Sequence, residues 1–167
     1  VVVAETEQEV RSAFGAIEAL RAAGRYLAGY FAYELGYVLQ PRLRPLLPSK
    51  RDVPLLWFGV FDACETLKEE AAADFLNSHL EGQVYTGPLR HEWEQDEYTV
   101  KFQKARALIE AGDIYQTNLS LRSRFASIGD AATLYARLRE YSKVAHGAYL
   151  HDGARHILSL SPELFFF

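Results

Sequence analysis

The chain has 167 residues, 49% of them hydrophobic and 13% aromatic, which is enough to bury a core. It carries 22 acidic and 18 basic residues, and without a basic stripe we expect no nucleic-acid partner. A single cysteine excludes an intrachain disulfide framework and suits a reducing compartment. Because the apolar runs are short and no leader pattern is visible, we expect a cytoplasmic protein without membrane contact.

The two ends of the chain are unusual. It opens on "VVVAE", contains no methionine, and closes on "SPELFFF". Three final phenylalanines resemble a strand interrupted within a sheet more than a polar, frayed terminus. We therefore expect 1–167 to be a single incomplete domain, the N-terminal portion of a longer polypeptide.

The first predicted elements are a helix and two strands. "TEQEVRSAFGAIEALRAAG" predicts an amphipathic helix with a capping box at Thr6 and Glu9 and a stop at Gly24. The aromatic stretch "RYLAGYFAYELGYVL" predicts a strand. After a proline-punctuated loop, "PLLWFGVFDA" predicts a second strand that is apolar on both faces.

Three further stretches have helical character. "LKEEAAADFLNSHLEG" fits either a helix or irregular structure. "QDEYTVKFQKARALIEAGD" is the strongest helix of the chain, with an apolar face and a stop at Gly112. "DAATLYARLREYS" predicts another helix with Leu134 and Leu138 facing inward.

Between the last two helices, "IYQTNLSLRSRF" has the period of a strand. This period places Gln116 and Asn118 on the same side. Two neighbouring amides present donors and acceptors that suit a carboxylated or hydroxylated small molecule. A solvent-facing sheet surface explains the same pattern, and the period alone favours it.

The last stretch, "AHGAYLHDGARHILSLSPELFFF", predicts a hairpin around Asp152-Gly153 and a final strand after Pro162. The hairpin places His151 opposite His156. This arrangement suits either a pair of metal ligands or two exposed residues. The exposed pair is favoured, because two histidines without a third ligand rarely hold a metal. Since helices and hairpins are interspersed, we predict an α+β fold with mainly antiparallel sheet.

Glu163 is the candidate acid. It follows Pro162 and precedes Leu164 and three phenylalanines. In such apolar surroundings, desolvation would favour its protonated form, which a general acid needs near neutral pH. An edge glutamate that points to water is the alternative, and on this residue alone it is the better one.

Three motifs together carry a resemblance to a known family. They are "GYFAYELGY" (29–37), "GDIYQTNLSLR" (112–122) and "LSLSPELF" (158–165). Their order and spacing resemble the chorismate-utilising enzymes. The "YQTNLS" version is more similar to the aminodeoxychorismate (para-aminobenzoate) synthase component I branch than to the anthranilate branch.

The resemblance implies an α/β sandwich of two antiparallel sheets with outer helices. It also implies amination of chorismate at C4 to 4-amino-4-deoxychorismate for para-aminobenzoate and folate synthesis. Ammonia would come from a glutamine amidotransferase, as a separate subunit or a fused domain, and Mg²⁺ would bind the substrate carboxylate. The glutamate of the "SPE" motif, here Glu163, would act as acid and base, with Gln116 and Asn118 substrate-proximal or part of the scaffold.

The sequence also departs from the family pattern. The "PIKGT" element, the later elements that grip chorismate and the magnesium ligands would all follow residue 167, so we expect this chain alone to be inactive. "HGAYL" (146–150) matches a region of the family's amino-acid pocket but lacks its usual "PY" or "PF". Alternative assignments are the anthranilate or isochorismate/salicylate branches, or a non-enzymatic domain that binds an amino acid or docks a glutaminase.

Overall fold

The computed structural model of the protein describes residues 1–80, 82–142 and 144–164, and the chain divides into two compact units. The first unit comprises Val1–Ser78 and Arg139–Phe167, and the second comprises His79–Leu138. That 1–167 is a single incomplete domain stays a prediction. No helix in the described part of the chain combines the length and apolarity needed to cross a membrane.

The described residues form short strands and five α-helices. In chain order they are β1 (Val2–Ala4), α1 (Glu7–Ala22), β2 (Tyr26–Phe31), α2 (Leu35–Leu39), a 3-10 helix (Pro41–Leu46), β3 (Leu56–Phe61), α3 (Glu69–Ser78), β4 (Val84–Thr86), β5 (Arg90–His91), α4 (Gln95–Glu110), β6 (Ser123–Arg124), β7 (Ser127–Gly129), α5 (Ala131–Ser142), β8 (His146–His151) and β9 (His156–Ser161).

The core of the first unit lies around a three-stranded antiparallel sheet in the order β1-β3-β2. Leu55 and Leu56, at the start of the central strand, have no exposed surface. Helix α1 adds Val10 and Ala13 to the same apolar cluster. An amphipathic helix thus buries its apolar stripe beside the sheet, which is the main stabilising arrangement of this unit.

The first predicted helix is confirmed. The carboxylate of Glu9 accepts hydrogen bonds from the backbone N–H groups of Glu5 and Thr6, at 2.8 and 2.9 Å. These bonds provide the glutamate half of the predicted capping box. At the other end, Gly24 has a φ of 76°, the left-handed conformation in which glycine commonly ends a helix.

The predicted strand over "RYLAGYFAYELGYVL" is only half right. Strand pairing ends where Phe31 faces Leu56, and the backbone then turns into α2. Leu35 and Val38, three residues apart, become buried in the core. Residues three apart lie on the same face of a helix, so α2 buries this apolar pair after the strand pairing has ended.

The predicted hairpin near the end of the chain is confirmed. Strands β8 and β9 pair antiparallel over six residues each, from His146 opposite Ser161 to His151 opposite His156. The loop between them contains Gly153, whose φ is 94°. The strand expected after Pro162 falls mainly on residues 165–167, which lie outside the described residues.

In the second unit, the strong helix prediction is confirmed as α4, and Gly112 ends it with a φ of 81°. The strand predicted over "IYQTNLSLRSRF" is wrong for most of its length. Only Ser123 and Arg124 are in a strand, paired with β5. Among the described residues, the segment before them pairs with no other strand. It is therefore not part of a β-sheet, despite its alternating pattern.

Helix α5 is confirmed, but its predicted inner face is only partly right. The helix buries Thr133 and Tyr135 and half-buries Leu134, whereas Leu138 is exposed. Asp130 Oδ2 accepts hydrogen bonds from the backbone N–H and the hydroxyl of Thr133, at 2.6 and 2.8 Å. This cap satisfies a backbone N–H of the first helical turn that has no partner within the helix. All strand pairs of the described residues are antiparallel, which confirms the predicted α+β class.

Candidate active site

Glu163 lies just beyond the open end of the β8–β9 hairpin. Its backbone is held by Ser161, whose Oγ donates to the carbonyl of Glu163 at 2.8 Å and accepts from its N–H at 3.3 Å. Both Glu163 and Leu164 are exposed. The apolar surroundings expected for this carboxylate are absent among the described residues, because Leu164 does not cover it. The role of Glu163 in a site therefore stays a prediction.

The other end of the hairpin is organised by Asp152, whose side chain is only 3% exposed. Its Oδ1 accepts hydrogen bonds from the N–H groups of Ala154 and Arg155, at 2.9 and 2.7 Å. Its Oδ2 pairs with the guanidinium of Arg155 at 3.1 Å. The bond from the Ala154 N–H is the largest of the effects that lower the pKa of Asp152, because it favours the charged carboxylate.

A contact from the three-stranded sheet reaches this loop. The hydroxyl of Tyr30, in β2, donates to Asp152 Oδ2 at 3.4 Å. Burial, and next the nearby Asp152 charge, raise the pKa of Tyr30 above its ordinary value of 10.0. The loop end of the hairpin is thus tied to the sheet, while Glu163 lies past the opposite end, roughly 17 Å away along five strand residues.

The histidines of the hairpin pair with each other and with a tyrosine. The rings of His151 and His156 stack with centroids 4.2 Å apart and an interplanar angle of 6°. The hydroxyl of Tyr149 lies 2.7 Å from His156 Nδ1. In the described ranges, no three His, Cys, Asp or Glu residues come together as a possible metal site.

Gln116 and Asn118 belong to the second unit, whereas Glu163 belongs to the first. Both amides are exposed and lie in the irregular segment that precedes β6. The backbone carbonyl of Asn118 accepts a long hydrogen bond, 3.5 Å, from the hydroxyl of Ser120. Their side chains are therefore accessible to a small molecule, and their role in a site stays a prediction.

Sequence reasoning missed the contact of Tyr30 with Asp152. Tyr30 lies in the first motif and Asp152 in the hairpin that leads to the third. The Asp-Gly pair marked the turn, but nothing in one sequence indicates that a tyrosine 122 positions earlier contacts its carboxylate.

The described residues combine α-helices with antiparallel strands, and the sequence carries the three motifs in order. Residues 3–167 match the family described as chorismate binding enzyme. The chain therefore belongs to the chorismate binding enzyme family, which confirms the resemblance drawn from its motifs.

Several curated proteins are similar to the chain. Over 154 residues it is 26% identical to aminodeoxychorismate synthase component 1 of Escherichia coli, covering 82% of the chain and 34% of that protein. Over 71 residues it is 44% identical to the Salmonella typhimurium protein of the same name, covering 41% of the chain and 15% of that protein.

A third relative carries another name. The anthranilate synthase component I-like protein of Synechocystis is 30% identical over 113 residues, covering 65% of the chain and 23% of that protein. The chain spans about a third or less of the length of these relatives. No solved structure gives a significant match.

Proposed function

We propose that the chain is part of an enzyme that aminates chorismate at C4 with ammonia to give 4-amino-4-deoxychorismate, for para-aminobenzoate and folate synthesis. One observation carries the proposal: two proteins named aminodeoxychorismate synthase component 1 resemble it, one of them across 82% of the chain. The "YQTNLS" motif supports the same branch.

In this reaction ammonia forms the new C4–N bond, the C4 hydroxyl leaves, and one molecule of water is released. Glu163 is the proposed acid and base, giving a proton to the leaving hydroxyl and taking one from the attacking nitrogen. Its place in the "SPE" motif and its accessible carboxylate support this role.

Gln116 and Asn118 are proposed to lie near the substrate as hydrogen-bonding amides, supported by their exposure and by the motif that contains them. Magnesium and a glutamine amidotransferase that supplies ammonia are part of the proposal through the family resemblance. Through the same resemblance, the magnesium ligands are proposed to follow residue 167; among the described residues, no three His, Cys, Asp or Glu side chains come together as a metal site.

The test is product analysis with the complete gene product, chorismate, ammonium and magnesium. We expect 4-amino-4-deoxychorismate to form, and Glu163→Gln to reduce kcat by at least 100-fold, a typical contribution of general acid–base catalysis. The Glu140→Gln variant, on the exposed surface of α5, is the matched control and should retain activity. Retained turnover in Glu163→Gln would remove the assignment of this residue.

A second candidate is anthranilate synthesis, which the 30% identity to the Synechocystis protein favours. The same assay distinguishes the two, because 2-aminobenzoate would then accumulate instead of the 4-amino product. A complete gene product that binds an amino acid or a glutaminase but converts no chorismate would support the non-enzymatic alternative and overturn both enzyme proposals.

A further inference from the structure

The second unit contains a two-stranded ribbon that is interrupted by a bulge. On one side of the interruption, the N–H of Gly87 donates to the carbonyl of Ala126 at 2.8 Å. On the other side, Arg90 lies directly opposite Arg124. Between these two pairs, two residues of the first strand face one residue of the second, which is the pattern of a β-bulge. Bulges often redirect side chains next to binding sites.

The arginine pair is electrostatically unfavourable as it stands. Side chains directly opposite each other in an antiparallel pair project from the same face, with Cβ atoms about 5 Å apart. Arg90 and Arg124 are both exposed, and neither forms an ion pair with any residue of the described ranges. Like charges in this position destabilise a ribbon unless an anion lies between them.

A cavity lies beside this pair. Its volume is about 430 Å³, and Arg90, Arg124, Pro88 and Phe125 contribute to its lining. The volume lies within the ordinary range of small-molecule sites, about 300–1,000 Å³. The cavity thus combines two cationic groups with an aromatic and an aliphatic ring.

One acid also lines the cavity. The Oε2 atom of Glu92 accepts a hydrogen bond of 3.3 Å from the backbone N–H of Arg122 and forms no ion pair with Arg90 or Arg124. The lining therefore carries two formal positive charges and one negative charge, with both guanidinium groups available. Guanidinium groups are suited to bidentate binding of carboxylate and phosphate oxygens.

We propose that this cavity binds a small anion, whose carboxylate or phosphate oxygens bridge Arg90 and Arg124 while an apolar portion lies against Phe125. The site lies within the second unit, and the argument for it does not depend on the proposed amination chemistry. Its ligand class follows from the lining: one acidic group next to an aromatic or aliphatic body.

The test uses the complete gene product in phosphate-free buffer of low ionic strength. Benzoate, acetate and inorganic phosphate are titrated by calorimetry and by thermal unfolding. We expect saturable binding that raises Tm, with benzoate binding more tightly than acetate because its ring contacts Phe125. Arg90→Gln and Arg124→Gln should each weaken binding at least tenfold, and Phe125→Ala should weaken benzoate binding without affecting phosphate.

Arg42→Gln is the matched control, since Arg42 is also exposed and forms no ion pair within the described residues. It should leave binding unchanged. An equal loss of binding in Arg42→Gln would show that the anions respond only to the net charge of the protein, and would overturn the proposal. The absence of saturable binding would also overturn it. Without added anion, Arg124→Gln should keep or raise Tm because it removes the repulsion; a lower Tm would assign the arginine a structural role instead.

Discussion

Tyr30 donates a hydrogen bond of 3.4 Å to Asp152 across 122 residues of sequence. Tyr30 belongs to the "GYFAYELGY" motif, and Asp152 lies in the loop of the hairpin that leads to "LSLSPELF". The first of the three motifs is therefore joined, through one phenol and one carboxylate, to the hairpin that leads to the third. The bond ties the hairpin to the sheet and so helps to fix the strand from which Glu163 follows.

Replacement of Tyr30 by phenylalanine should have a small and specific effect on stability. The bond is long, so its loss should cost about 0.5 kcal/mol, the lower end for a protein hydrogen bond. The stacking of the ring on Trp57, with centroids 6.4 Å apart, should persist in the variant. Urea unfolding of Tyr30→Phe measures the change, and Tyr33→Phe, whose residue is 81% exposed, is the control with no expected effect.

Asp152 should make stability depend on pH in the acid range. Hydrogen bonds, first that from Ala154, hold its pKa in the folded chain below the ordinary value of 3.8. The carboxylate therefore stabilises the fold fully above that ordinary value, and this contribution is lost as the pH falls through the lower folded value.

The measurement is the free energy of unfolding of Asp152→Asn between pH 7 and pH 2, compared with the parent chain. We expect the variant to be less stable at pH 7 and the difference to shrink below about pH 4. Asp52→Asn, at an exposed aspartate, provides the control. A difference that stays constant across this range would show that the charge of Asp152 does not contribute.

Gly29 should not tolerate a side chain. A Cβ at this position would overlap the carbonyl oxygen of Trp57 and approach the Cα of Phe58 within 2.7 Å, in the paired strand β3. Since backbone atoms cannot move aside cheaply, Gly29→Ala should destabilise the chain by about 1–3 kcal/mol. Thermal unfolding would measure this loss.

Gly15 provides the matched opposite case. It lies within α1, and a Cβ there would meet no atom within 4 Å. Gly15→Ala should therefore stabilise the chain by about 0.5–1 kcal/mol, since alanine is the better helix former. If Gly29→Ala left stability unchanged or raised it, the close approach of β2 and β3 at Gly29 would be wrong; a loss of stability in Gly15→Ala would contradict only the open space at that position.

The sequence was sufficient to predict features that depend only on neighbouring residues of the chain. The helix ends at Gly24 and Gly112 and the turn at Asp152-Gly153 depend on backbone conformations that glycine adopts readily, and all three were predicted. The α+β class follows from the same elements. Such features depend on a few neighbouring residues, so periodicity and turn chemistry define them.

The errors arise where structure depends on distant partners. The alternating pattern around Gln116 and Asn118 predicted a strand, but a strand requires a neighbour, and the described structure pairs only Ser123 and Arg124. For Glu163 the sequence neighbours left an apolar and a water-facing environment open and favoured the latter, and the structure places the residue exposed, because adjacency in sequence does not cover a side chain. Tertiary contacts decide both properties, and one sequence does not contain them.

Gln116 and Asn118 allow a test that separates binding from folding. Both residues are exposed and lie in a segment without regular secondary structure. Gln116→Ala and Asn118→Ala should therefore change the free energy of unfolding by no more than about 0.5 kcal/mol. If the amides contact substrate, each variant of the complete gene product should lose about tenfold in kcat/KM for chorismate, as expected for one hydrogen bond. Ser120→Ala, in the same segment, is the control. Unchanged kcat/KM in both amide variants would remove these two residues from the substrate site and leave Glu163 as its only candidate within the described chain.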